Sequence, residues 1–166
     1  MAEVSEQTKK QVSATEPDWS RETSKNYWNP VVRLIRSIRF YQKYQNKPFL
    51  KGLKYFGVVR YRFWSVVSGA DIPLNCKIGG GLLIPHPNGI EIHPDAEIGP
   101  NCLIFQQVSI GNNGRGVPKL AGHVDLGAGT KILGDIIINN HSKIAANAVV
   151  LRNVDEYEKE TGVTVK

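Results

Sequence analysis

The chain has 166 residues, 21 basic and 15 acidic side chains for a net charge of +6, and only two cysteines. That length fits one domain with its own core plus an appendage; the absence of any run of 18 apolar residues excludes a helical membrane span, and the cysteine count excludes a disulfide framework. The opening "MAEVSEQTKK" lacks the apolar middle of a secretory signal, so the expected location is the cytoplasm.

The positive charge is local. No acid occurs between Glu22 and Asp71, whereas ten lysines and arginines do, and the segments on either side carry −2 each. Such a block points to an anionic partner, such as coenzyme phosphates, a membrane surface or an acidic polymer. No nucleic-acid partner is expected.

Residues 1–26 are polar and aperiodic and are expected to be a flexible tail. Residues 27–69 form a short helical region. Asn29 followed by Pro30 reads as an N-cap and first-turn proline, after which Val31, Leu34, Ile35, Ile38 and Tyr41 recur at helical spacing. A second helix is expected to start near Pro48, with Phe49, Leu53, Phe56, Phe63 and Val67 on one stripe, and to end by Gly69. Two readings follow. The helices pack on the main body or a sister subunit, or residues 30–66 lie as a basic amphipathic surface on an anionic membrane, at its inner face.

From residue 70 to the end the period becomes six. The anchors are Ile72, Ile78, Ile84, Ile92, Ile98, Ile104, Ile110, Leu120, Leu126, Ile132, Ile138, Ile144 and Val150, often followed by glycine. Neither a helix stripe nor a strand alternation produces that period; a hexapeptide β-helix does. Each hexad supplies a short strand and a corner, and three hexads close one coil. Ile72, Ile92, Ile110, Ile132 and Val150 then share one face, Ile78, Ile98, Leu120 and Ile138 a second, and Ile84, Ile104, Leu126 and Ile144 a third. The expected fold is mainly β, a parallel β-helix preceded by the short helical region.

Interruptions of the period become corner loops. The interval after Ile84 stretches to eight residues and holds "PHPNG"; the interval after Ile110 stretches to ten and extrudes "GNNGRGVPK". Asp71 precedes the first face one coil before His86 reaches the same corner. At a rung spacing of about 4.8 Å a carboxylate and an imidazole placed this way are within reach of a hydrogen bond. A neutral imidazole held by a carboxylate is a general base, so His86 is the candidate base and Asp71 the group that fixes its tautomer.

The remaining residues carry weaker signals. Cys76 and Cys102 each fall four residues after an anchor and read as buried core thiols. His123 and His141 are 18 residues apart and should stack on successive coils, as surface or interface residues or as a metal pair. His93 is assigned no role. The long loop, with three glycines, Arg115 and Lys119, suits close approach to an anionic ligand.

The stretches "DIPLNCKIGGGLLIPHPNGIEI", "AEIGPNCLIFQQVSIG", "VDLGAGTKILGDIIIN" and "KIAANAVVL" resemble the hexapeptide-repeat acyltransferases, in particular their serine acetyltransferase-like branch. The resemblance implies a left-handed helix, acetyl-CoA as donor with no metal, a homotrimer or a pair of trimers, and active sites between subunits. It carries the catalytic roles onto His86 and Asp71, and coenzyme contact onto Ala128, Ala146, Gly111 and Lys166. Serine-specific members have an Asp where this chain has Pro85, and Arg and His where it has Gly116 and Val117. The resemblance further implies a prism ending in a proline-containing cap, where this chain reads "NVDEYEKETGVTVK". With those departures, the expected acceptor is a sugar hydroxyl in surface-polysaccharide synthesis. The alternatives are a serine O-acetyltransferase of cysteine synthesis, a metal-binding protein built on His123 and His141, and a non-catalytic scaffold.

Overall fold

The computed structural model describes residues 12–162 apart from 25, 27, 48 and 50. The repeat region winds through twelve strands of two or three residues: β1 (Lys77–Ile78), β2 (Glu91–Ile92), β3 (Glu97–Ile98), β4 (Leu103–Ile104), β5 (Ser109–Gly111), β6 (Lys119–Leu120), β7 (Asp125–Leu126), β8 (Lys131–Leu133), β9 (Ile137–Ile138), β10 (Lys143–Ile144), β11 (Val149–Val150) and β12 (Lys159–Glu160). They form three parallel sheets, ordered β1-β3-β6-β9, β2-β5-β8-β11 and β4-β7-β10-β12. No strand this short is stable alone. Each persists because its backbone groups pair with the rungs above and below, so the coil is stabilised by nearest-neighbour contacts.

The register is the one the anchors dictate. Ile92 lies beside Ile110, Ile110 beside Ile132 and Ile132 beside Val150; Ile78, Ile98, Leu120 and Ile138 follow one another on the second sheet, and Ile104, Leu126 and Ile144 on the third. Apart from Ile78, at the first rung and only partly buried, these side chains are almost wholly removed from water and make one aliphatic column, with Cys76, Cys102, Val108, Val124 and Ala148 in the gaps between them. Burying each such branched side chain contributes about 1.5–3 kcal/mol. The architecture is the left-handed parallel β-helix that the six-residue period and the resemblance together imply.

Three segments depart from expectation. Residues 12–24 do not form a loose tail; they are docked along the corner between the second and third faces. Asn101 is fully buried there, its Oδ1 accepting from the Asp18 N–H at 2.7 Å and its Nδ2 donating to the Ser13 and Glu16 carbonyls, both at 2.7 Å. Arg21 donates to the Gly81 and Asn101 carbonyls, and Glu22 accepts from the Gly81 N–H and pairs with Arg39 at 2.7 Å. Polar composition suggested disorder because the bonding partners lie some 60 to 90 residues away, where no local pattern reveals them. Residues 1–11 lie outside the described residues.

Asn101→Ala removes three of these bonds and also replaces a residue held at φ 60°, a left-handed position that asparagine tolerates better than alanine. Stability is expected to fall by about 1–3 kcal/mol. Limited proteolysis should then cut within residues 12–24 before it cuts the coil.

Helix α1 (Pro30–Tyr44) starts behind Asn29, whose side chain accepts from the Val32 N–H, and buries Val31, Leu34, Ile35 and Ile38. Helix α2 (Lys51–Ser68) packs on α1 with the opposite sense to the expected stripe. Gly57, Trp64 and Ser68 face inward, Gly57 against Phe40 and Tyr41, while Leu53, Phe56, Phe63 and Val67 face water. The close approach that Gly57 permits decided the orientation over hydrophobic spacing. At the other end, the expected proline-containing cap is replaced by a further rung. Glu160 pairs beside Ile144 where an aliphatic anchor would stand, and Arg152 bridges Glu158 and Glu160 across it.

Candidate active site at the corner before the first face

The turns leading from the third face to the first stack as a column. Gly89 donates its N–H to the Gly69 carbonyl at 2.7 Å, Gln107 to Asn88 at 3.0 Å, Gly129 to Gln106 at 2.9 Å and Asn147 to Ala128 at 2.8 Å. Gln107 and Asn147 hold φ near 59°, where Gly89 and Gly129 provide glycine. Because Leu83 is bridged to Leu103, Pro85 lies below Phe105; because Gln107 bonds to Asn88, Asn88 lies below Gln106. His86 and Pro87 are therefore the two additional residues of the eight-residue interval. His86 is exposed, its ring 6.5 Å from that of Phe105.

Asp71 begins the first face one rung earlier, its N–H donating to the Ile90 carbonyl at 2.8 Å. The register sets Glu91 over it, not His86, which comes five residues sooner. Among the described residues the Asp71 carboxylate and the His86 ring share the corner on consecutive rungs without a hydrogen bond. Counting anchors located the corner but not the offset that the two inserted residues introduce. Asp71 lines a groove of about 700 Å³ together with Tyr61, Arg62, Ser65, Gly89 and Glu91. Burial, and next the Asp71 charge, push the Tyr61 phenol above its ordinary pKa. Tyr61 was missed in the sequence because it reads there as one more aromatic of a helix.

Above His86 the column is lined by small residues. Ala128 is half-buried and Ala146 exposed, and a Cβ on Gly127 would come within 2.5 Å of the Ala146 nitrogen, so side chains could not extend there without clash. One rung below Ala128, Gln106 Oε1 is buried with no hydrogen-bond partner. A shelf of small residues beside an unpaired acceptor fits an extended ligand carrying amide N–H groups, because burying such an oxygen unpaired costs about 1–3 kcal/mol. Gly111 stands at the opposite end of the first face, so the structure does not bring it to this column. Lys166 lies outside the described residues.

The long loop folds back on the next rung, where Gly116, at φ 147°, sits so close that a Cβ would meet the Asp135 side chain at 2.6 Å. Arg115 is exposed and lines a second groove with Asn113 and Asp135; Lys119 stands 3.9 Å from Glu97. His123 and His141 stack on adjacent rungs at the corner between the second and third faces, their Nδ1 atoms 2.8 Å apart, with Tyr157 stacked on His141. Burial holds His123 below its ordinary pKa. Among the described residues no third histidine, cysteine or carboxylate joins them into a metal-binding group. His93 accepts the Asp95 N–H through Nδ1.

No protein-family model matches the chain. It is 30% identical over 152 residues to a serine acetyltransferase of Haemophilus influenzae, which covers 88% of this chain and 57% of that one. It is 39% identical over 93 residues to a serine acetyltransferase of Synechococcus elongatus, covering 54% and 38% respectively. Among solved structures, a serine acetyltransferase in complex with CoA superposes with a TM-score of 0.70 at 32% identity, covering 82% of this chain and 56% of that one. The soybean serine acetyltransferase complexed with serine gives a TM-score of 0.70 at 26% identity, covering 81% and 55%. The chain thus spans about half the length of the relatives it matches.

These likenesses correct the expectation of a sugar-hydroxyl acceptor. That reading gave decisive weight to Pro85, Gly116 and Val117. The similarity to the Haemophilus protein covers more residues than positions 70–166 can supply, so it takes in the helices as well, and the departures are local changes on a shared frame.

Proposed function

We propose that this chain, a hexapeptide-repeat protein of the serine acetyltransferase-like branch, transfers an acetyl group from acetyl-CoA to the hydroxyl of serine. The observation that carries the reading is the two-residue insertion that lifts His86 out of the coil at the foot of the small-residue column. Ala128, Ala146 and Gln106 would line the pantetheine arm, with the Gln106 Oε1 accepting one of its amide N–H groups.

His86 takes the proton of the acceptor hydroxyl as its oxygen attacks the thioester carbonyl. An ester C–O bond forms, the C–S bond breaks, and the imidazolium returns the proton to the departing CoA sulfur. Asp71 orients the ring and stabilises its cationic form. In a homotrimer with sites between adjacent copies, the neighbouring prism would close the open side of this corner, where His86, Asp71 and Ala146 all face solvent in the single chain. Closure of that kind would exclude water and draw carboxylate and ring together. Two unpaired, buried cysteines, their thiols pushed up by burial to about 11 (Cys76) and about 12 (Cys102), suit a reducing compartment and support a cytoplasmic setting.

Pro85, Gly116 and Val117 stand where the resemblance implies a carboxylate, a guanidinium and an imidazole, and hydrogen bonds to charged groups contribute about 1.5–3 kcal/mol each. Serine is therefore expected to be bound weakly, with a KM raised by at least about tenfold over a relative that retains those groups. Thiol release from acetyl-CoA, followed as serine is titrated, tests this. Release that depends on serine supports the proposal, and its absence at saturating serine ends it.

A further inference from the structure

The outward side of α2 is apolar. At 100° per residue, Tyr55, Phe56, Val59, Phe63, Val66 and Val67 fall within an arc of about 120°, and all six are exposed, Val66 by 83% and Val59 by 68%. An amphipathic helix ordinarily turns such a stripe inward. Here the inward side holds Gly57, Trp64 and Ser68, and the stripe is left as a continuous apolar patch of the kind that marks an interaction surface.

The charge around the stripe selects its occupant. Arg62 and Arg60 project near its two edges, and no acidic residue occurs from residue 23 to residue 70. A second copy meeting this face through a twofold contact would set these arginines against their own counterparts with no carboxylate of the helices to neutralise them. An anionic lipid surface supplies both things the face lacks, an apolar layer for the rings and valines and negative headgroups for the flanking guanidinium groups. Among the described residues no helix is long and apolar enough to cross a membrane, which is consistent with a helix lying along its surface.

We infer that α2 docks this protein on anionic membrane surfaces, with the stripe from Tyr55 to Val67 inserted among the headgroups and Arg60 and Arg62 paired with lipid phosphates. The inference rests on α2 alone and is independent of acetyl transfer. It also revises the broader expectation for residues 30–66, since α1 spends its apolar side on the coil and only α2 has one to offer.

Co-sedimentation of the full chain with phosphatidylcholine vesicles, with and without phosphatidylglycerol, tests it. Binding to the anionic vesicles alone, weakening as salt is raised, is the expected result. The double substitution Val59→Glu and Phe63→Glu should weaken it at least about tenfold while circular dichroism and the thermal midpoint stay unchanged. Arg60→Glu with Arg62→Glu should weaken it without touching the apolar stripe. No binding, binding indifferent to phosphatidylglycerol, or stripe substitutions that change the oligomeric mass but not vesicle binding would each overturn the inference, the last by assigning the face to a second copy.

Discussion

His86→Ala is expected to cut acetyl transfer by about 10²- to 10⁴-fold, the usual contribution of a positioned general base. The loss should fall on turnover, because the ring stands beside the column of small residues rather than in it, and CoA affinity should change little. Stability should also hold: the side chain is exposed, and substitutions at such positions usually stay within about 0.5 kcal/mol. Stopped or steady-state thiol release measures the first, calorimetric titration with CoA the second and thermal denaturation the third. Turnover close to that of the unaltered chain would remove His86 from the reaction.

Asp71→Asn separates a dyad from a lone base. In the single chain Glu91 is stacked over Asp71, and the His86 ring is not hydrogen-bonded to the carboxylate, so any pairing must form when a neighbour closes the corner. If the carboxylate orients the ring, Asp71→Asn lowers turnover with CoA affinity retained; if His86 acts unaided, turnover is unchanged. Glu91→Gln is the matching control, since it changes the carboxylate nearest to Asp71 in register.

What the sequence revealed most fully was whatever depends on short-range repetition. A six-residue return of Ile and Leu fixed the three faces and their register, because in a coil of this kind every rung repeats the same constraint. Interruptions were equally readable as corners. What resisted reading depends on single long-range contacts. Asn101 captures residues 13–18 through three bonds that span more than 80 positions, and Gly57 turns α2 against its own hydrophobic spacing by admitting Phe40. The orphaned Gln106 oxygen is invisible for a related reason: burial of one atom follows from packing of neighbouring rungs, not from residue type. At the candidate site the corner was legible and the offset was not, because the two inserted residues break the periodicity by which rungs are counted.

Leu126→Ala is the substitution in the core expected to cost most, about 2–5 kcal/mol. Leu126 is fully buried in β7, between Ile104 of β4 and Ile144 of β10. The size of the cost depends on whether the surroundings can collapse into the space left behind, and here they cannot follow easily. Phe105 donates to the Leu126 carbonyl at 3.1 Å and Gly127 to that of Ile144 at 2.9 Å, so the backbone on both sides is held at the strand spacing. An empty volume in the middle of the column also weakens two inter-rung contacts at once, whereas a terminal rung has only one. Val124→Ala and Val154→Ala put that distinction to a direct test, since both valines are fully buried and the deleted atoms are the same, but Val124 sits mid-coil and Val154 pairs at the end with Ile138. Urea unfolding should show the mid-coil substitution costing more. Equal losses would mean that the rungs melt as one cooperative block, with no gradient of coupling from the centre of the coil to its end.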